Sequence, residues 1–174
     1  MNTILKPLGS MVNEDSTAVR NTGMADKSKI PVPKATPETQ HFWDGTKAGV
    51  LRLQRCCECS QIYFPPRPFC PACVSRDVEV FDACGRAFLY SYVINQRPHP
   101  AFDGPYSIAV VELEEGPRMM TNIVGVEQTP QALKLDMPLV VTFEPLNEDI
   151  SLPYFQPAEQ PVEQSSKQHA GGGR

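Results

Sequence analysis

The 174-residue chain has no surplus of positive charge: 16 lysines and arginines stand against 20 aspartates and glutamates, and no lysine lies between Lys47 and Lys134. Nucleic-acid binders usually carry a clear basic excess, so a net charge of −4 speaks against a phosphate backbone as the main partner. There is no long apolar run, which excludes a helical membrane span. The first twenty residues hold only a brief apolar patch broken by Pro7, Gly9 and Ser10, too short for the core of a signal peptide. A cytoplasmic location is expected, and thiols there stay reduced. Only three histidines occur, His41, His99 and His169, which leaves few candidates for a general base.

What is present is unevenly spread. Residues 1–35 are rich in polar residues and proline without a sustained apolar period, and 158–174 resemble them, so both ends read as a disordered leader and a disordered tail. Folding is expected from residues 36–157. Within that span 36–50 reads as a short N-terminal helix, with Thr36 as its cap, Pro37 at the first position, and Gly45 and Gly49 ending it. Phe42 and Trp43 give it one aromatic edge. The stretch "VLRLQ" (50–54) alternates as a strand. Further on, "RAFLYSYVIN" (86–95) places Phe88, Tyr90, Tyr92 and Ile94 on one face and Leu89, Ser91 and Val93 on the other. "YSIAVVEL", "RMMTNIVGV" and "PLVVTFE" follow, with a helical turn around 129–133. About five strands with one short helix between the late ones suit a small closed barrel of the OB type, because an open sheet would leave edges to protect.

Between helix and barrel, residues 51–80 carry five of six cysteines in "CCECSQIYFPPRPFCPAC" (56–73). Cys56 and Cys59 form one C-x-x-C, and Cys70 and Cys73 form another. Two such turns aim four sulfurs at one point, the ligand set of a tetrahedral structural zinc. Sulfur in every position leaves none open for water or substrate, so the Zn²⁺ is expected to hold structure rather than perform chemistry. Cys57 points outward in this reading; the alternative is that it takes the place of Cys56 as a ligand. Cys84 in "DACGRAF" has no partnered base in the sequence around it and is not assigned as a nucleophile. The carboxylates of "VELEEG" fall at a hairpin and are expected to face solvent. No catalytic residue is assigned.

The stretches "LRLQRCCECSQIYFPPRPFCPAC", "GRAFLYSYV", "YSIAVVELEEG", "LDMPLVVTFE" and "LPYFQPA" occur in an order that resembles the family once catalogued as a domain of unknown function, in which a rubredoxin-like zinc ribbon is joined to an OB-fold. The resemblance covers roughly residues 37–158. Departures fall at Ser60 and Val74, where glycine often follows the second cysteine of a pair, at Ala87, where a second glycine is common, and at 135–137, where a glycine turn is usual. Positive φ at Ser60 or Val74 would be uncomfortable, so irregular turns are expected there.

The resemblance implies an accessory subunit that binds a thiolase-like acyl-CoA enzyme, such as a thiolase, a steroid side-chain aldolase or a hydratase, while the barrel helps to hold or channel the CoA thioester. On that reading the CoA or partner contacts are Phe42 and Trp43 on the helix, Arg55 and Arg67 around the ribbon, and Arg97, His99 and Phe102 on the proline-stiffened loop "RPHPAF". Arginine suits phosphates through its fork of donors, and CoA carries several. Two other classes compete. Ribbons and OB barrels also bind single-stranded nucleic acid, for which Tyr90 and Tyr92 are the stacking candidates. A four-cysteine site that held iron would carry electrons as rubredoxin does.

Overall fold

The computed structural model describes residues 26–158. The expected tail from 159 and the first 25 residues of the expected leader lie outside them. Residues 26–35 lie against the folded chain: a single 3-10 turn at Lys27–Lys29 is capped by Asp26, and Lys27 pairs with Glu144 and donates to the Pro145 carbonyl at 3.1 Å. Polar composition alone misses such anchoring, because the partner lies more than a hundred residues away.

The helix α1 spans Gln40–Lys47, later than Thr36 and Pro37 suggest. Thr36 instead opens a preceding turn, and its backbone N–H donates to the Thr39 hydroxyl at 2.9 Å. Gly45 does not end the helix; its missing Cβ lets the Arg52 side chain and the Val50 carbonyl approach to 2.9 Å of where that atom would stand. The chain turns off at Gly49, whose φ is +76°.

Three short strands follow, β1 (Arg52–Cys56), β2 (Ile62–Tyr63) and β3 (Val78–Asp82), joined in the order β2-β1-β3. Five more, β4 (Arg86–Asn95), β5 (Tyr106–Leu113), β6 (Arg118–Thr121), β7 (Pro138–Pro145) and β8 (Ser151–Pro157), form an antiparallel sheet ordered β6-β5-β4-β7-β8. The sheet curls until its outer strands meet: Ile123 and Phe155 form a parallel bridge, and the Phe155 N–H donates to the Asn122 carbonyl at 3.1 Å. Closure of this kind removes the exposed edges, as the OB reading requires.

The alternation expected for β4 changes phase midway. Pairing with β5 slips between Leu89 and Ser91, a bulge at Tyr90. Ala87 and Leu89 are buried before it, whereas Tyr92 and Ile94 pack against the core after it. Leu89 therefore shares the inner face with Tyr92, contrary to strict period two. One hydrophobic core then serves helix, ribbon and barrel together: Phe42, Leu51 and Leu53 join Leu89, Val111, Leu139 and Phe155 in one cluster.

Candidate metal centre and adjoining apolar cavity

The two cysteine turns are built alike. Ser60 N–H donates to the Cys56 carbonyl at 2.9 Å and Val74 N–H to the Cys70 carbonyl at 3.0 Å; the amides of Cys56 and Cys70 donate in turn to Gln61 and Ser75. Ser60 and Val74 adopt φ of +61° and +64°, so both turns are regular and the expected irregularity is absent. Their residues bear the strain that glycine would avoid. Asp136 likewise sits at φ +61°, at the turn 135–137 that departs from the usual glycine.

The sulfurs of Cys56, Cys59, Cys70 and Cys73 all lie within 4.8 Å of one another, with Cys56–Cys73 at 3.5 Å and Cys59–Cys70 at 3.6 Å. Four sulfurs bound about 2.3 Å from one zinc stand about 3.8 Å apart, so the cluster suits a tetrahedral Zn²⁺. Burial pushes the Cys70 thiol up, but the backbone N–H groups of Cys73 and Ala72 and the Cys59 thiol outweigh it and bring it down to about 7. The Ser75 N–H pulls Cys73 down, yet contacts with Cys56 and Cys59 and burial carry it up to about 12. A packed quartet cannot ionise alone, and a divalent cation resolves that conflict by displacing the protons. Cys57 is exposed outside the quartet, with its N–H bonded to the Asp77 carbonyl at 3.0 Å.

Cys84 does have carboxylates beside it in space. Its thiol contacts Glu114 at 3.5 Å and its N–H donates to Glu115 at 2.7 Å. Burial, and then these acids, raise the thiol, the opposite of nucleophile activation. The hairpin acids are likewise not simply solvated: Glu114 forms a bidentate pair with Arg86, both contacts 2.7 Å, and Glu112 pairs with Arg118 at 2.7 Å. His41 is held below its ordinary value by burial and by Arg52.

The remaining candidates divide. Phe42, Trp43, His99 and Phe102 come together around one apolar cavity of about 480 Å³, walled also by Phe64, Met119 and Tyr154. Phe42 is 5% exposed and meets Phe64 at 5.5 Å between centroids, so it belongs to the core and cannot form the exposed docking edge expected of it with Trp43. Arg55, Arg67 and Arg97 do not line this cavity. Arg55 is taken up by Glu79 at 3.0 Å and by the Phe81 ring at 4.5 Å, while Arg67 and Arg97 are exposed. Phe64, Met119 and Tyr154 had no signal in the sequence, since they enter from a ribbon loop and two barrel strands that only folding brings to the helix. As stacking platforms the tyrosines are occupied: Arg118 lies 3.5 Å over the Tyr90 ring and Tyr92 packs on the core.

A four-sulfur ribbon sharing its core with a closed five-stranded barrel defines the class as a zinc-ribbon and OB-fold protein. Residues 43–79 match the family described as the ChsH2 rubredoxin-like zinc ribbon domain, and 82–144 match the ChsH2 C-terminal OB-fold domain. A probable enoyl-CoA hydratase alpha subunit from Thermomonospora curvata is 37% identical over 79% of this chain, which spans 43% of that longer protein. A DUF35 domain-containing scaffold protein from Pyrococcus furiosus is 34% identical over 58% of this chain and 74% of the relative. Among solved structures, a chain of the Ltp2-ChsH2(DUF35) aldolase superposes with a TM-score of 0.65 at 36% identity, over 72% of this chain and 98% of that one. The chain belongs to the ChsH2/DUF35 family of zinc-ribbon and OB-fold proteins.

Proposed function

We propose that the protein is a non-catalytic accessory subunit that docks on a thiolase-like or related acyl-CoA enzyme, such as an aldolase or hydratase, and helps to bind its CoA thioester. The observation that carries this reading is chemical: the one strong ligand constellation among the described residues is a closed four-thiolate site, and the Cys84 thiol is held up by burial first and by its neighbouring carboxylates next, the opposite of an activated nucleophile. Relatives named as a scaffold, a hydratase subunit and an aldolase partner support it. For docking, the outer faces of β4, β5 and β6 offer exposed Phe88, Val93, Ile108 and Met120, with Val93 directly opposite Ile108. Exposed apolar residues clustered on one sheet face suit a protein partner.

Affinity capture from the native host, followed by assay of the captured complex and of the isolated chain on a panel of acyl-CoA thioesters, tests the reading. The expected result is a large co-purifying acyl-CoA enzyme, activity in the complex, and none in the isolated metal-replete chain. Turnover by the isolated chain overturns it.

A further inference from the structure

Residues 30–35 run between two hollows. Ile30 and Pro31 help to wall the apolar cavity of about 480 Å³, and 32–35 help to wall a second one of about 340 Å³ that also takes in Lys47 of α1 and Asp149 of the loop between β7 and β8. Trp43 borders both, so the segment passes beside the chain's single tryptophan, which is half-buried. None of 26–35 belongs to the hydrophobic core cluster. The segment is a wall laid on from outside.

Little holds it down. Among the described residues, no backbone hydrogen bond joins 30–35 to the helix or the barrel, and Pro31 and Pro33 have no N–H to donate. The polar ties to the barrel come from Lys27, whose ammonium pairs with Glu144 on β7 and donates to the Pro145 carbonyl at 3.1 Å. The Lys27 and Glu144 side chains are 42% and 40% exposed, and ion pairs so open to water are weak and yield to salt. The turn that carries Lys27 is a small preformed unit, in which Asp26 accepts from the Ser28 N–H at 3.0 Å. At the other end Thr36 and Thr39 close a turn on each other directly before α1, with bonds of 2.9 and 3.0 Å. Between these two turns the prolines fix φ and stiffen the chain.

We propose that residues 26–35 are a releasable strap, hinged at the turn 36–39 and latched by Lys27 on Glu144 and Pro145, which closes the Trp43 side of the apolar hollow and opens it when the latch breaks. A stiff arm fixed firmly at one end and held at the other by one exposed charge pair swings rather than unravels. Neither the four-sulfur site nor the shared core has to move for it to lift, since the strap contributes to neither. Access to the hollow thus depends on charge: whatever competes for the Lys27 ammonium or the Glu144 carboxylate, salt included, shifts the strap open. The device is independent of the partner reading, because the isolated chain carries all its parts.

Trp43 reports on the strap directly. The full zinc-loaded chain is compared with Lys27→Glu, with Glu144→Lys and with the double reversal, reading acrylamide quenching of Trp43 and the emission of an added apolar dye, 1-anilinonaphthalene-8-sulfonate. Each single change sets like charges face to face and is expected to raise the quenching constant roughly twofold, with a parallel rise in dye emission, while the melting temperature of the fold stays put. The two singles shift the net charge in opposite directions, so a rise in both cannot come from the charge of the dye. The double reversal restores the pair with its polarity exchanged and should recover most of the closure, short of the Pro145 bond that glutamate cannot donate. Added sodium chloride should raise quenching in the unaltered chain and not in Lys27→Glu. Quenching unchanged in both single variants overturns the proposal, and so does a double reversal no more closed than the singles. A lowered melt in the singles with no extra quenching below the transition would make the segment a structural brace and overturn it as well.

Discussion

Val74 is a β-branched residue at φ +64°, a conformation in which its Cβ crowds the following carbonyl. The αL penalty of about 1–2 kcal/mol exceeds the entropy cost of glycine, about 0.5–1 kcal/mol. Val74→Gly is therefore expected to stabilise the zinc-loaded protein by about 0.5–1 kcal/mol, read as a higher melting temperature; an unchanged or lower melt would show that the side chain contributes packing that outweighs the strain. Gly85 is the reverse case. It sits at φ +74°, and an added Cβ would stand 2.7 Å from Val141 Cγ1, so Gly85→Ala should cost about 2 kcal/mol or more in thermal stability. Among the cysteines, Cys70→Ser should lose the metal and unfold the ribbon, while Cys57→Ser keeps one zinc per chain by elemental analysis. Retained zinc in Cys70→Ser would refute the ligand set. With the Cys59 and Cys73 thiols raised above their ordinary value, more than one proton must leave on binding. Zinc affinity should accordingly fall by more than tenfold for each unit the pH drops below neutrality, as a chelator competition would measure.

At the scale of elements, α1 is one wall of a shared core. Eight residues cannot sustain a helix alone, and its stability comes from laying Phe42 against the ribbon and barrel. Phe42→Ala should lower the melting temperature of the isolated protein, at a cost of about 3–5 kcal/mol, without a selective loss of partner binding in the folded fraction. A normal melt with lost binding would return Phe42 to the interface. The bulge at Tyr90 shows the other way an element departs from its pattern: one extra residue exchanges the faces, so Leu89 and Tyr92 both point inward and Tyr90 is left on the surface under Arg118. Alternation read along a strand has no means of showing such a slip.

For the molecule as a whole, charge weighs against one reading of the same fold. The net −4 and the loss of Arg52 and Arg55 to Asp82 and Glu79 leave few cations to release counterions from a nucleic-acid strand. Titration with labelled single-stranded DNA near physiological salt should show only weak, non-specific association. Tight, salt-sensitive binding would favour the nucleic-acid reading over the acyl-CoA one.

The four-cysteine cluster and the order of parts were legible in the sequence, because both rest on local spacing. Two C-x-x-C turns aim their sulfurs wherever the rest of the chain goes, and runs such as "RAFLYSYVIN" declare extended backbone through their own residues, its bounds coinciding with β4. Where strands met, which face they buried and how the ends joined were not local, and only tertiary structure decided them. Closure through Ile123 and Phe155, the slip at Tyr90, and the pairing of Arg55 with Glu79 depend on chain segments brought side by side. The cavity is the clearest instance. Phe42, His99, Met119 and Tyr154 are spread over more than a hundred residues and have no periodicity in common, so the hollow they enclose exists only after helix, ribbon and barrel share one core.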